Sequence, residues 1–297
     1  MITSYRYENG RRYHAYRDGA YWGPNDETQN EQLDIAHHMF TMLLDNKLFL
    51  APVPEDIQRV LDIGTGTGIW AIDVADEYPS AEVIGSDLSP TQPSFVPPNL
   101  KFEIDDAEDY WAYPEDHFDL IHVRSLYGAI ADWPAFYRNV LIGLRPGAWF
   151  DQLEMSIEFK SDNGALTRDH VLSVWSRTFI EAGERFGKTF RIAELARGYM
   201  VEAGFQNVVE RRFKLPVGPW SKDEQYKQLG MWNLLHCEQG IEGWAMALLT
   251  RVMGWRYEEV QVFLAQMRAG LRDYARTNAY FTVVSVWGQK PFKDRVP

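Results

Sequence analysis

The sequence predicts an α/β fold in which helices cover both faces of a mostly parallel β-sheet. Short apolar runs typical of buried strands alternate with helix-type patterns from Arg59 onward, and a glycine-rich turn joins the first run to a helix. Parallel strands covered on both faces are rich in apolar residues, as most of these runs are. Hydrophobic residues make up 45% and charged residues 24% of the 297 residues, which is ordinary for a globular protein and excludes general disorder.

Seven apolar runs predict strands, and apolar residues spaced by three and four predict helices. Strands are expected at 59–63, 82–85, 100–104, 118–123, 148–155, 208–215 and 280–287. Helices are expected at 29–50, 69–78, 133–144, 166–182 and 192–203. A turn is expected at 145–147, and a further helical stretch at 221–278 carries Trp232, Trp244 and Trp255.

Charge and cysteine content exclude several classes of partner. Lys and Arg number 30 against 42 Asp and Glu, a net charge of −12, which disfavours nucleic acid and anionic membranes. No apolar stretch approaches the roughly 20 residues that cross a bilayer. Cys237 is the single cysteine, so we expect no intrachain disulfide and a cytoplasmic protein, with the nucleus left open. The scattered histidines give no metal-ligand spacing, so no metal is expected.

The segment LDIGTGTGIWAID carries the clearest ligand-binding pattern. A strand ending in Asp62 is followed by Gly64, Gly66 and Gly68, and a helix begins at once. Glycines allow positive φ and close approach to a ligand, and the helix start presents free N–H groups. A dinucleotide requires G-x-G-x-x-G, but Ile69 stands where its third glycine would be. This disfavours an NAD-dependent reductase and favours S-adenosylmethionine, with Asp62 near its ammonium group and the turn N–H groups on its carboxylate.

Acidic residues follow the next two predicted strands. Asp87 ends the second strand, where a carboxylate can accept both ribose hydroxyls. Asp105 and Asp106 end the third, where an acid can accept from the adenine amino group while the Ala107 N–H meets a ring nitrogen. Three acids at three successive strand ends therefore strengthen the prediction of an adenosine-containing cofactor.

These segments, with FDLIHVR and LRPGAWF, resemble the successive motifs of class I S-adenosylmethionine-dependent methyltransferases. More narrowly, the chain resembles the fungal LaeA-like methyltransferases of secondary metabolism, through YHAYRDGAYWGPNDETQNEQLDIAHHMF, LSPTQP and DWPAFYRNVL. The resemblance implies a Rossmann-like sheet of seven strands, the last antiparallel, with an N-terminal segment folded over the cofactor. It places Asp106, rather than Asp105, at the adenine. The residues expected to bind the cofactor are Asp62, Gly64, Thr65, Gly66, Asp87, Leu88, Asp106, Ala107 and Arg124.

We expect three parts in the chain. Residues 1–56 form a lid segment and helix, and residues 57–220 with 279–297 form the methyltransferase core. Residues 221–278 form a helical cap that is inserted before the last strand and packs over the sheet.

Candidate catalytic residues follow the fourth strand. Methyl transfer from a sulfonium needs alignment, and it needs a base only if the acceptor must lose a proton. His122 is a candidate base or substrate anchor, with a core histidine as the alternative. Arg124 and Tyr127 are expected to bind the methionine end or the substrate, and simple loop packing stays open. Glu154 faces the pocket or is a structural acid, whereas His37 is expected in the core.

The sequence as a whole predicts an enzyme that methylates oxygen or nitrogen of a small secondary metabolite and releases S-adenosylhomocysteine. The tryptophans at 221–278 favour an apolar acceptor, although core packing explains them as well. Two alternatives stay open: a cofactor-binding regulator that acts through protein partners, and a related fold that catalyses a cyclisation. A homodimer is also left open.

Overall fold

The computed structural model describes residues 4–292, so the ends of the predicted lid and core segments, 1–3 and 293–297, lie outside it. A seven-stranded sheet has the order β5-β4-β3-β6-β7-β9-β8. Its strands are β3 (Arg59–Ile63), β4 (Glu82–Asp87), β5 (Leu100–Ile104), β6 (Phe118–Arg124), β7 (Leu144–Met155), β8 (Gln206–Pro216) and β9 (Tyr280–Gln289). Strands β3 to β7 pair in parallel, and β9 pairs antiparallel with both β7 and β8. This confirms the predicted fold class.

Helices cover both faces of the sheet and add a layer at its β7–β9 side. They are α1 (Glu27–Leu43), α2 (Ile69–Glu77), α3 (Trp133–Gly143), α4 (Val171–Phe186), α5 (Ile192–Ala203), α6 (Glu224–Ala247), α7 (Tyr257–Arg272) and α8 (Tyr274–Thr277), with a π-helical turn at Leu248–Val252. Apolar residues of α2 pack on one face and those of α3 and α5 on the other. Helices α1, α4, α6 and α7 bury a third cluster against the ends of β7 and β9.

Three predicted boundaries are clearly wrong. The helix expected at 166–182 lies at Val171–Phe186, because His170 caps its start by accepting from the Leu172 N–H. The helix expected at 29–50 ends at Leu43, because Asp45 and Asn46 adopt positive φ values of 54° and 63° and turn the chain before the first proline. The turn expected at 145–147 lies inside β7, which begins at Leu144. The glycine there has a φ of 83°, and the pairing between β6 and β7 is irregular over this stretch, so the turn residues form a bulge.

Residues 4–26 form more structure than their weak periodicity predicts. A hairpin pairs β1 (Arg6–Glu8) with β2 (Arg11–Tyr13). Arg11 lies 2.7 Å from Asp26, which caps α1 by accepting from the Gln29 N–H. Arg251, in the π-helical turn, lies 2.8 Å from Glu8. These ion pairs hold the hairpin between α1 and the helices of the C-terminal half.

The stretch 221–278 is helical between β8 and β9, as the element order shows, but it is interrupted. The π-helical turn and Gly254, with a φ of 74°, separate α6 from α7. Helix α6 packs along α1, and α4, from the predicted core, packs on α7. Within residues 4–292, no helix combines the length and apolarity that crossing a membrane requires.

Candidate functional site

The turn between β3 and α2 is tight because glycines occupy its left-handed positions. Gly64, Gly66 and Gly68 have φ values of 70°, 61° and 82°. A Cβ on Gly64 would lie 2.5 Å from Leu126 Cδ2, and one on Gly68 would lie 2.3 Å from a Phe102 ring carbon. Side chains at these positions would therefore add both backbone strain and steric overlap.

Four N–H groups of this turn already have protein partners. Those of Gly64 and Thr65 both donate to the Ser86 carbonyl at 2.9 Å, and that of Gly68 donates to the Thr65 carbonyl. The Gly66 N–H donates to Asp87 Oδ2 at 2.8 Å. These four groups are used within the chain, and the expectation that the turn holds a ligand carboxylate stays a prediction.

Asp87 is the acid that the turn itself positions. Its Oδ2 accepts from Gly66 and its Oδ1 accepts from the Ser89 N–H at 2.9 Å. Each carboxylate oxygen has two lone pairs, so each retains one for a ligand hydroxyl. Burial raises the pKa of Asp87 to about 6, although the backbone hydrogen bonds oppose that shift.

The carboxyl ends of β3 to β6 surround an open cavity, which we call the edge cavity. Its other wall is the segment from Tyr21 to Leu33. Among the predicted cofactor residues, those on this cavity are Gly64, Gly66, Asp87, Leu88, Asp106, Ala107 and Arg124. Asp105 also lines it, so the choice between Asp105 and Asp106 stays a prediction. In the described chain the Ala107 N–H has no protein partner, while its carbonyl accepts from Trp111.

Asp62, Thr65 and His122 lie beneath the turn rather than on the cavity. Asp62 accepts from His122 Nδ1 at 2.9 Å and from the Thr65 hydroxyl at 2.6 Å. The His122 ring stacks on Trp70 of α2 at 3.7 Å between centroids and is 1% exposed. This geometry argues against His122 as a base, because a base must reach the proton that it removes.

Arg124 lies at the end of β6 and lines the edge cavity. Both of its terminal nitrogens lie 3.2 Å from Nδ1 of His37 on α1. Among residues 4–292, no acidic side chain forms an ion pair with it, and burial lowers its pKa to about 10. The guanidinium is still charged at neutral pH, so it is a cation without an anionic partner beside the cavity. Its contact with His37 was not predicted, because it joins residues that are 87 positions apart.

The lid segment closes over this edge through polar and apolar contacts. Asn25 Nδ2 donates to Ser89 Oγ at 3.1 Å in a buried contact. A Cβ on Gly66 would lie 3.3 Å from Leu33 of α1, so the helix approaches the turn closely. Arg17 forms an ion pair with Asp109.

A second, narrower cavity adjoins the first. This aromatic cleft is lined by Trp22, Tyr127, Met155, Ile157, Trp175, Phe179, Phe190, Trp244 and Phe281. The two cavities share their boundary, because Tyr21 and Leu126 line one and the next residues in the chain line the other. Tyr127 therefore lies on the aromatic cleft and not on the edge cavity. Trp232 and Trp255 pack elsewhere, against His38 and Phe263.

Glu154 supports the loop between the two cavities. Its Oε1 accepts from the Leu126 N–H and from Gln152 Nε2, each at 3.1 Å. Burial raises the pKa of Glu154 to about 8, and Oε2 has no partner among the described residues. Among residues 4–292, no three His, Cys, Asp or Glu side chains are grouped as metal ligands would be.

Comparisons with known proteins agree with this geometry. Residues 35–210, more than half of the chain, match the model of a methyltransferase domain family. The chain is 39% identical over 295 residues to the methyltransferase pytC of Aspergillus terreus, covering 98% of this chain and 90% of that protein. It is 40% identical over 268 residues to the secondary metabolism regulator laeA of Aspergillus fumigatus, covering 88% and 70%.

Solved structures show the same fold at low sequence identity. A putative methyltransferase from an antibiotic biosynthesis pathway of Anabaena variabilis is 13% identical, with a TM-score of 0.53, and covers 88% of this chain and 99% of that one. A Haemonchus contortus phosphoethanolamine N-methyltransferase 2, in complex with S-adenosyl-L-methionine, is 16% identical with a TM-score of 0.50 and covers 88% and 52%. The chain belongs to the methyltransferase domain family and, within it, to the fungal LaeA-like S-adenosylmethionine-dependent methyltransferases.

Proposed function

We propose that this methyltransferase methylates an oxygen or nitrogen atom of a small, largely apolar molecule in secondary metabolism. The observation that carries the proposal is the edge cavity, whose polar groups match the parts of S-adenosylmethionine. It presents an acid with free lone pairs, an unpartnered backbone N–H and an unpaired guanidinium. These suit a ribose, an adenine and an amino-acid carboxylate, respectively.

The residues take the following proposed roles. Asp87 accepts from the two ribose hydroxyls, and Asp106 with the Ala107 N–H contacts the adenine edge, with Leu88 beside them on the cavity. Arg124 binds the carboxylate of the amino-acid end. Bound S-adenosylmethionine supplies a methyl group that its sulfonium already activates. The chain's part is to align the acceptor with that group and to exclude water.

The aromatic cleft is the proposed acceptor site. It adjoins the edge cavity, and its lining is apolar or aromatic throughout, apart from the hydroxyl of Tyr127 and the indole N–H groups of its tryptophans. Trp22 Nε1 is buried without a protein partner in the described chain, so it can donate to a polar atom of the acceptor. Tyr127 stacks on Trp22 with 6.2 Å between centroids and is the proposed wall nearest the cofactor.

Beneath the cavities, buried polar groups have supporting roles in this proposal. Asp62, Thr65 and His122 hold the glycine turn, since their mutual hydrogen bonds lie on the side away from the edge cavity. Glu154 holds the backbone of the loop after β6.

The names of relatives suggest two other roles. Several are called secondary metabolism regulators, and one from Emericella nidulans, 38% identical, is called a protein-methionine methyltransferase. A regulator that works through partners needs no acceptor cleft, and a protein acceptor must insert one side chain. An apolar cleft lined by core residues, with Trp22 of the lid segment and Trp244 of the predicted cap, favours a small molecule.

Methyl-labelled S-adenosylmethionine distinguishes these roles. Purified protein is incubated with it and an organic extract of fungal culture, and small molecules and protein are then separated and analysed by mass spectrometry. We expect label in a small molecule whose mass rises by one CH₂, and none with the Asp87→Ala variant. Label confined to protein, or no transfer with any extract, would contradict the proposal.

A further inference from the structure

A chain of three side chains links the edge cavity to the far side of α1. Both terminal nitrogens of Arg124 lie 3.2 Å from His37 Nδ1. The other ring nitrogen, Nε2, lies 2.8 Å from Asp73 Oδ2 on α2. His37 is 5% exposed, so its ring is buried between Arg124 and an Asp73 side chain that reaches solvent.

The chemistry of the outer two groups fixes the proton on the histidine between them. A guanidinium has donors only, so Nδ1 must accept and carry no proton. Nε2 then carries the proton and donates a hydrogen bond to Asp73. Burial lowers the pKa of His37, and the nearby charge of Arg124 lowers it further, against the effects of Asp73 and Asp34. His37 is thus held neutral, in one tautomer.

This contact orients Arg124 without neutralising it. An ion pair with an acid would cancel the positive charge, whereas a neutral imidazole leaves the charge available. The face of Phe40, 5.6 Å from the Arg124 guanidinium carbon, restricts the side chain from another side. Four N–H groups of the glycine turn are bonded within the chain, and Arg124 presents a positive charge to an anion at this end of the cavity.

We infer that His37 is a positioning residue, which holds Arg124 in place as the binding site for the carboxylate of the cofactor's amino-acid end. The inference rests on the proposed function, because it takes the ligand of the edge cavity to be S-adenosylmethionine. It assigns a role in the site to a residue of α1, which the motifs of the sheet do not contain.

Two ligands separate this role from a structural one. S-adenosylhomocysteine has the amino-acid end, and 5′-methylthioadenosine has the same adenosine without it. Binding of each is measured by calorimetry to the wild-type protein and to two variants. His37→Leu removes the acceptor, whereas His37→Asn places an amide oxygen where Nδ1 lies. His38→Leu is the control, since that neighbour is exposed and outside this network. Thermal unfolding shows that each variant is folded.

We expect His37→Leu to weaken binding of S-adenosylhomocysteine about tenfold, because without the His37 contact the Arg124 side chain must become ordered on binding. The same variant should bind 5′-methylthioadenosine as the wild type does, and His37→Asn should recover most of the loss. Equal weakening of both ligands, or no weakening of either, would overturn the inference. Failure of the wild type to bind either ligand would instead overturn the proposed function.

Discussion

The two adjoining cavities are built in opposite ways. The edge cavity is formed by short segments at successive strand ends, and its acid Asp87 is held by backbone N–H groups of the same segments. The aromatic cleft is formed by single side chains from widely separated elements, from Trp22 in the lid to Phe281 in β9. The first is therefore a site of local hydrogen bonds, and the second is a product of tertiary packing. We therefore expect substitutions in the aromatic cleft to affect mainly stability and substitutions in the edge cavity to affect mainly ligand affinity.

The largest effect is expected on stability, from the aromatic cleft. Trp175 is 3% exposed and stacks on Phe179 at 4.1 Å and on Phe263 at 5.6 Å. Trp175→Ala should lower the free energy of unfolding by about 3–5 kcal/mol, measured by urea denaturation. The folded Trp175→Ala variant should still bind S-adenosylhomocysteine with nearly wild-type affinity. The half-buried Trp232→Ala is the matched control, with a smaller loss of stability. Weak ligand binding by the folded Trp175 variant would contradict the independence of the two cavities.

The next largest effect is expected on affinity, from the edge cavity. Asp87→Ala removes both acceptors of the ribose hydroxyls and should weaken binding of S-adenosylhomocysteine about 100-fold in calorimetry. Because both ligands contain the ribose, the affinity for 5′-methylthioadenosine should fall by the same factor. In the His37→Leu variant, by contrast, that affinity should not change. Asp76→Ala, at an exposed acid of α2, is the control. An unchanged affinity would refute the ribose assignment.

A smaller effect is expected at His122. His122→Ala removes the ring stacked on Trp70 and one hydrogen bond to Asp62, which should cost about 2 kcal/mol of folding free energy. Methyl transfer to whichever acceptor is found should fall by no more than a few-fold. If instead turnover were abolished while urea stability stayed the same, His122 would be the catalytic base after all.

The smallest effect is expected from pH. Hydroxyl groups donate best to an ionised carboxylate, and Asp87 has a pKa of about 6. Affinity for 5′-methylthioadenosine should therefore decrease as pH falls through that value, by about tenfold from neutral pH to about pH 5. This ligand lacks a carboxylate, so titration of His37 has little influence on its binding. Asp87→Asn should give a flat profile, and a wild-type profile that is equally flat would contradict the assignment.

The sequence predicted the parts of the molecule that local patterns determine. The glycines at 64, 66 and 68 require positive φ, and Asp87 ends a strand, so both follow from a few adjacent residues. Seven of the nine predicted cofactor residues line the edge cavity for the same reason. The membership of the remaining two, Asp62 and Thr65, in the cofactor site stays a prediction.

Features that depend on distant residues could not be predicted in this way. The N–H groups of Gly64, Thr65 and Gly66 are occupied by Ser86 and Asp87 of the neighbouring strand, which the pattern of glycines alone does not reveal. His37 falls on the apolar face of α1, so it resembles any core histidine until Arg124 is placed beside it. The aromatic cleft could be identified only from the whole fold, since nothing in the sequence pattern distinguishes its tryptophans from those of the core.

A crystal structure of the protein with S-adenosylhomocysteine would show which residues bind each part of the cofactor. We expect both ribose hydroxyls on Asp87 and the ligand carboxylate on Arg124, with His37 still in contact with that guanidinium. A carboxylate bound instead by the N–H groups of the glycine turn, or an adenosine located anywhere other than the edge cavity, would contradict this expectation.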